Sequence, residues 1–387
     1  MKRKLFQIMD EYGKLLKEIK EHIKVAQLKT VVAANSQMLW LYWQIGNFIL
    51  ENINNAGYGA RIIEKLAADI KKEFPELSGF SIRNLKYMRQ FAASYPDRLL
   101  EKLIEIKGNL KFSIKIVQQA VALLESIDNQ LNSIGQQPVA QLEILFTQSI
   151  LAKISWSHHI ILLDKVPSMG ERFWYMFNTI EHGSSRNVLV HQIESKLFER
   201  QIKADKITNF QRTLPEPQTD FAQYMLKDPY IFDFIQAKDK ADERNIEKQL
   251  TEHITKFLLE LGQGFAFIGR QVHFEIGGQD FYIDLLFYHT RLHAYVVVEL
   301  KAKDFEPGDA GQLNFYINLV NDKLKSSTDN DTIGILLCKG KNAVLAEYAL
   351  KNINQPIGVA DYQLSKAIPD NLKSELPNID DLEKELQ

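Results

Sequence analysis

The stretch 280–301, DFYIDLLFYHTRLHAYVVVELK, decides the fold. It contains two runs, 280–288 and 294–301, rich in Val, Ile, Leu, Phe and Tyr and separated by Thr290-Arg291-Leu292-His293. Short β-branched and aromatic runs flanking a turn read as neighbouring strands. Residues i and i+2 of a strand share a face, so Glu299 and Lys301 point one way while Val298 and Leu300 point the other. Asp284 stands between Ile283 and Leu285, inside a run that otherwise reads as buried. An ionisable group there is costly unless it is paired or bound to a metal. Antiparallel pairing of the two runs brings Asp284 close to Glu299.

Two carboxylates and one ammonium group at one place suit hydrolysis of a phosphodiester. Carboxylate oxygens are hard ligands for Mg²⁺, which keeps several waters and shares its shell with substrate phosphate. Such an ion neutralises phosphate charge and acidifies a bound water, and an ammonium group can position that water or stabilise developing negative charge. For any one of these residues a buried ion pair is an equal alternative. The trio on adjacent strands favours the chemical reading.

Outward from this core, residues 243–261 place Ile246, Leu250, Ile254, Phe257, Leu258 and Leu261 on one helical face, and Gly262 and Gly264 end that helix. A strand over 270–276 follows, punctuated by Gly277-Gly278. After Lys301 come a helix over 309–321, a strand over 332–338, a helix over 342–351 and a short strand over 357–361. The element order is α-β-β-β-α-β. Gly262, Gly264 and Gly269 lack dinucleotide-loop spacing, and no G-x-x-x-x-G-K-[ST] run is present, which argues against an ATP-driven motor in this chain.

The N-terminal half reads as helices. Apolar residues recur at helical spacing from Leu5 to Leu28 and again over 31–52. Further helices are expected over 60–74, which Pro75 stops, and from the N-cap Ser81 through 93. Residues 129–141 read as a linker between helices, helices resume over 140–205, and the proline-bearing stretch 211–220 reads as the main boundary. The divisions expected are 1–165, 166–224 as a helical connector, 225–368, and an acidic tail over 369–387.

The 387 residues carry a net charge of −2 and a single cysteine, Cys338, which excludes an internal disulfide and argues against a thiolate zinc cage. Residues 1–100 hold 16 Lys/Arg against 10 Asp/Glu, a basic excess compatible with a nucleic-acid face or with a solvated helical surface. Asp10, Glu11, Lys14 and Lys17 interrupt any signal-like apolar run, and no stretch is apolar long enough to span a bilayer. A soluble protein of the cytoplasm, with no membrane partner, is expected.

The pattern D-x(14)-E-L-K from Asp284 to Lys301 resembles the PD-(D/E)XK nuclease superfamily, whose core shares the α-β-β-β-α-β order. Glu247 matches an acidic residue that many members use as a further metal ligand. Gln312 and Tyr316, in GQLNFY, match the Q-x-x-x-Y element of RecB-like members. Ile283 stands where the superfamily name has proline. The phrases GFSIRNLKYMRQF (79–91), ISWSHH (154–159), SKLFER (195–200), DPYIFDFI (228–235) and FLLELGQGFAFIGRQ (257–271) extend the likeness, and together they resemble the YhcG family of bacterial proteins. That resemblance implies a mostly α N-terminal half, winged-helix-like and DNA-binding, followed by an α/β restriction-endonuclease-like domain with a mixed central sheet.

The activity so implied is that of a Mg²⁺-dependent nuclease acting on DNA, with Mn²⁺ as a substitute ion. Asp284 and Glu299 would bind the metal, Glu247 would assist, Lys301 would activate or position water, and Gln312 would orient Lys301 or the substrate backbone. Tyr316 belongs to the nucleic-acid side of the same element. The alternative is a nucleic-acid-binding or partner-binding protein that does not cut.

Arg83, Lys86 and Arg89, three apart on one helix, form a basic ridge suited to phosphates, or else a solvated face over Leu85, Met88 and Phe91. Arg270 would meet a phosphate or pair with Glu275. His158 and His159 are adjacent, so they diverge on a helix and read as core or capping residues. Cutting both strands of a duplex would be simplest for a homodimer.

Overall fold

The computed structural model describes residues 2–56, 61–97, 99–100, 139–235 and 243–364. These fall into two compact units, one ending at Leu189 and the other beginning at Val190.

The regular elements of the first unit, among its described residues, are all helices. It comprises α1 (Lys2–Ala56), α2 (Arg61–Glu73), α3 (Ile82–Ser94), α4 (Val139–Gln148), α5 (Trp156–Lys165), α6 (Met169–His182) and the start of α7 (Arg186–Glu194). The two helices expected before residue 52 are one: nothing between Gly13 and Gly46 breaks the ladder, and Thr30 bonds its hydroxyl back to the Ala26 carbonyl at 3.0 Å. α3 begins as its sequence predicts, with the Ser81 hydroxyl accepting the Asn84 N–H. No wing strand lies among the described residues of this unit, and most of the 129–141 stretch falls outside them.

The core of this unit is aromatic. Trp40, Trp43, Phe91, Tyr95, Phe146 and Trp156 pack ring against ring around His159, and Trp43 Nε1 donates to the Tyr95 carbonyl at 2.7 Å. His159 is fully buried, bonded to the Leu151 carbonyl, and burial pushes its pKa down to about 3, so it is a neutral core residue as expected.

The second unit contains β1 (Ile207–Thr208), α8 (Phe210–Thr213), α9 (Gln218–Met225), β2 (Tyr230–Ile231), α10 (Glu243–Glu252), α11 (Ile254–Leu261), β3 (Phe265–Ile276), β4 (Gln279–His289), β5 (Ala294–Lys301), α12 (Pro307–Lys323), β6 (Ile333–Cys338), α13 (Ala343–Leu350) and β7 (Ile357–Gln363). The sheet runs β1-β7-β6-β5-β4-β3, with β2 also on β7. β3, β4 and β5 pair antiparallel and β5, β6 and β7 parallel, so the sheet is mixed. Alternation along β5 and β6 fills both faces. Val296, Val298, Leu300, Ile333, Ile335 and Leu337 face Phe210–Ile235, α10 and α11, whereas Val297, Leu336 and Cys338 face α12 and α13.

Three boundaries differ from expectation for identifiable reasons. The single helix over 243–261 is two helices, because Thr251 turns its hydroxyl onto the Glu247 and Lys248 carbonyls and the chain leaves helical geometry at His253. β3 starts five residues earlier than the alternation suggests, because a bulge between Phe267 and Gly269 shifts the faces. Residues 207–224, expected as connector, belong to the sheet unit: Ile207 and Thr208 pair with β7, and Phe210, Leu214 and Ala222 enter its core.

α1 and α3 cross so closely at Gly46 that a Cβ there would stand 2.1 Å from the Met88 carbonyl oxygen and 2.8 Å from Ala92 Cβ. Gly46→Ala is therefore expected to destabilise the first unit by about 1–3 kcal/mol. All 4 tryptophans of the chain lie in this unit, so the check is an earlier denaturant midpoint by tryptophan fluorescence. An unchanged midpoint would mean that the helices part without strain.

Candidate active site

The site forms where the sheet loses a rung. β3 and β4 keep one register from Gly269↔Leu286 through Ile276↔Gln279, yet Gln271 and Asp284 are the one opposed pair in that run that does not bridge. On the other side, β4 and β5 pair only as far as Leu285↔Val298, so Asp284 and Glu299 do not pair through the backbone either. Side chains take the released groups. The Asp284 N–H donates to Glu299 Oε1 at 3.2 Å, and the Leu300 N–H donates to Asp284 Oδ2 at 3.0 Å. The two carboxylates thus replace the backbone ladder, as buried N–H groups require.

Lys301 follows on the same face as Glu299, with Nζ 3.7 Å from Glu299 Oε2. Glu299 is 1 % and Lys301 8 % exposed. Burial pushes the Glu299 carboxyl well above the usual carboxylate range, and the nearby Asp284 charge adds to it. Burial likewise raises Asp284, against the Leu300 N–H and the Lys301 charge. For Lys301 burial works downwards, but Glu299, Glu243, Asp284 and Asp309 together outweigh it and raise the ammonium.

The sequence-predicted residues are not all gathered to the same degree. Asp284, Glu299 and Lys301 come together. Glu247, on α10, is 3 % exposed and reaches Asp284 only through Gln271, whose Nε2 donates to Glu247 Oε2 at 2.7 Å and to Asp284 Oδ1 at 3.1 Å. Arg270 lies against Glu247, with Nε 3.3 Å from Oε1, so its partner is Glu247. Gln312 is exposed on α12 and donates to Tyr316 Oη at 3.1 Å, so its hydrogen bond goes to that tyrosine. Tyr316 is buried, and burial raises its hydroxyl pKa with Glu299 and Asp284 adding to it, which places Tyr316 within the field of the site. In the helical unit Arg83 and Lys86 are exposed along α3 and Arg89 is half-buried.

Two residues of the site carry no signal in the strand pattern. Gln271 sits opposite Asp284 with a left-handed φ of 49°, a conformation that a strand residue other than glycine seldom adopts. Glu243 opens α10 and accepts the Ala302 N–H at 3.1 Å. Its position four residues before Glu247, on the same helix face, is the signal that could have found it.

Do these residues suit a divalent cation? Among the described residues no three His, Cys, Asp or Glu groups converge closely enough to hold one. Asp284 and Glu299 nevertheless offer adjacent hard oxygens, and Glu247 Oε1 is buried without a hydrogen bond. Two carboxylates with the remaining positions left to water and phosphate is the Mg²⁺ style of site, and the residues fit it.

A mixed sheet whose central strands part around an aspartate, with Glu-x-Lys on the next strand, is the core of a PD-(D/E)XK nuclease-type domain. Residues 223–377 match the family described as the YhcG PDDEXK nuclease domain, and residues 18–123 and 136–200 match the DUF1016 N-terminal domain. Over 362 residues the chain is 30% identical to "Putative nuclease YhcG" of Escherichia coli (strain K12), covering 91% of this chain and 90% of that protein. The chain belongs to the YhcG family. Solved structures are more distant: a repair endonuclease from Pyrococcus abyssi and an EndoMS–dsDNA complex each share 18% identity at a TM-score of 0.23. Those alignments cover 34% and 33% of this chain and only 50% and 48% of theirs. No described helix is long and apolar enough to cross a membrane.

The raised Glu299 carboxyl has a stability consequence. A group whose pKa is higher in the folded than in the unfolded chain stabilises the fold below its unfolded pKa, and this is lost as pH rises through the folded value. Above that folded value the metal-free protein carries the full repulsion. Glu299→Gln keeps the acceptor for the Asp284 N–H and removes the charge. It is expected to raise the melting temperature in EDTA by roughly 2–4 °C, the shift that about 1 kcal/mol gives in a domain of this size. The gain should vanish in acid, where the wild-type carboxyl is itself neutral. Calorimetry of both proteins across pH is the check, and a melting temperature for the variant that does not gain on wild type as pH rises would contradict it.

Proposed function

We propose that the chain is a metal-dependent nuclease that hydrolyses phosphodiester bonds in DNA. The observation that carries this reading is the locked pair of carboxylates: Asp284, half-buried, and Glu299, buried, are each fixed by a backbone N–H group, with the Lys301 ammonium alongside. When bound at Asp284 and Glu299, Mg²⁺ (or Mn²⁺ in its place) would neutralise phosphate charge and acidify a coordinated water. Lys301, held charged by its carboxylate neighbours, faces the negative charge that builds on the phosphoryl oxygens. Gln312 donates to the Tyr316 hydroxyl and would orient the substrate backbone. Glu247 assists from behind, by anchoring Gln271 against Asp284, and Arg270 offers an exposed guanidinium to a phosphate.

Lys301→Ala is expected to lose cleavage by about 10²–10³-fold, the scale of removing one charge-stabilising group from an active site, with little change in far-UV circular dichroism. The assay is a labelled panel of linear duplex DNA, single-stranded DNA, a Holliday junction and RNA, in Mg²⁺, Mn²⁺ and EDTA. Full activity of the variant, or cutting in EDTA, would contradict the assignment. Preferential cutting of RNA would replace DNA as the substrate. Binding without cutting of any substrate would favour the non-cleaving reading.

The basic ridge on α3 supplies nucleic-acid affinity in this scheme, with phosphates as its target, and a homodimer would supply one centre per strand of a duplex. Replacing Arg83, Lys86 and Arg89 together by alanine should weaken duplex binding and flatten the slope of log K against log salt by about 2–3, near 0.9 for each phosphate no longer neutralised. Fluorescence anisotropy at several salt concentrations reads this out. An unchanged slope would leave the ridge as a solvated surface.

A further inference from the structure

Resting on the metal-dependent reading of the site, we infer that Gln271 is a further ligand of the cation: an amide that presents nitrogen to the carboxylates when the site is metal-free and oxygen to the ion when it is loaded.

Three observations lead there. First, among the described residues no three His, Cys, Asp or Glu groups gather to hold an ion, so a cation at Asp284 would draw on ligands of another kind. Second, the Gln271 amide already occupies the central point. Its Nε2 lies 2.7 Å from Glu247 Oε2 and 3.1 Å from Asp284 Oδ1. Turning the terminal amide by half a turn exchanges nitrogen for oxygen at nearly the same position. The Gln271 oxygen would then stand from each carboxylate oxygen at close to the ~2.9 Å that separates neighbouring ligands of a Mg²⁺ ion bound at 2.0–2.1 Å. Without an ion such an oxygen cluster is repulsive and the NH₂ orientation is preferred. With an ion the order reverses. Third, Gln271 is held in the left-handed region, at φ 49°, in the middle of a strand and opposite Asp284. Backbone strain of this kind concentrates where side-chain placement serves function.

The experiment is isothermal titration of the metal-free full chain with MnCl₂ alone, counting only the heat that is absent in Asp284→Ala, together with the melting temperature in EDTA. Gln271→Met keeps length and volume but removes both amide atoms. Gln271→Glu supplies a permanent oxygen. The expected result is Mn²⁺ affinity at least about tenfold weaker in Gln271→Met, and tighter than wild type in Gln271→Glu, with a lower metal-free melting temperature for the latter. A residue that merely braces the two carboxylates would lower the melting temperature of both variants and leave both affinities within twofold of wild type, which overturns the inference while the metal site stands. Wild-type protein that takes up no Mn²⁺ overturns the metal site itself, and Gln271's role with it. Should Gln271→Met fail to fold, Gln271→Glu still decides: affinity no tighter than wild type counts against the ligand.

Discussion

A buried strand cannot leave its N–H groups without acceptors, and that rule organises the second unit around Asp284. At this residue the ladder lapses on both sides, towards Gln271 and towards Glu299. The Asp284 and Leu300 N–H groups are then satisfied by Glu299 Oε1 and Asp284 Oδ2. The same bonds that repair the sheet therefore hold both carboxylates in place. Structure and chemistry are coupled here: a side chain too short or too apolar to accept these bonds would leave a buried donor open, so the pair is fixed by the fold as well as by any reaction.

The electrostatic cost of this arrangement is contained by its surroundings. Apolar residues line both faces of the strands that carry the pair, with Leu285, Val298 and Leu300 on one side and Ile283, Leu286 and Val297 on the other. That packing buries Glu299, half-buries Asp284 and raises both carboxyls. Lys301 is the compensating cation nearest Glu299, and it is in turn surrounded by Glu243 and Asp309, each on a separate helix start. Asp309 is itself fixed by a reciprocal capping interaction with Glu306 at the head of α12, and Pro307 sets that helix start. Helix caps and strand ends thus place four carboxyl groups about one ammonium group, with Lys303 beside Asp309 at 3.8 Å.

How much of this is legible in the sequence follows from the range of each interaction. The strand pair, the Glu299–Lys301 face and the position of Asp284 within an apolar run are local patterns with period two, and they read correctly from 280–301. Ile207 and Thr208 pair with Gly358 and Val359 near the other end of the unit, and a two-residue strand has no periodicity to detect. Residues 211–220 look like a linker because prolines dominate them, but Leu214 is buried in the core and Thr219 bonds to the Leu214 carbonyl. Gln271 is hidden for a different reason. The bulge at Phe267–Gly269 resets the alternation of β3, so its facing cannot be counted from either end. The long helix α1 reads as two because apolar spacing wavers near residue 30, whereas backbone hydrogen bonding does not.

The helical unit shows how burial limits what a surface can recognise. Along α3 the amides that might read bases are already committed: Asn84 accepts Trp156 Nε1 at 2.6 Å and donates to the Gly79 carbonyl, and Gln90 donates to the Leu163 carbonyl. Tyr87 donates to Asp164, and Arg83 lies over the Tyr87 ring. What this helix presents outward is guanidinium and ammonium charge on Arg83 and Lys86. Cationic groups of this kind hold the phosphate backbone and fix orientation, while discrimination between bases needs side chains free to meet base edges. A nucleic acid bound through this helix would therefore be held largely irrespective of its sequence. Any preference among substrates would then have to arise from shape, or from the fit of a phosphodiester to the parted strands at Asp284.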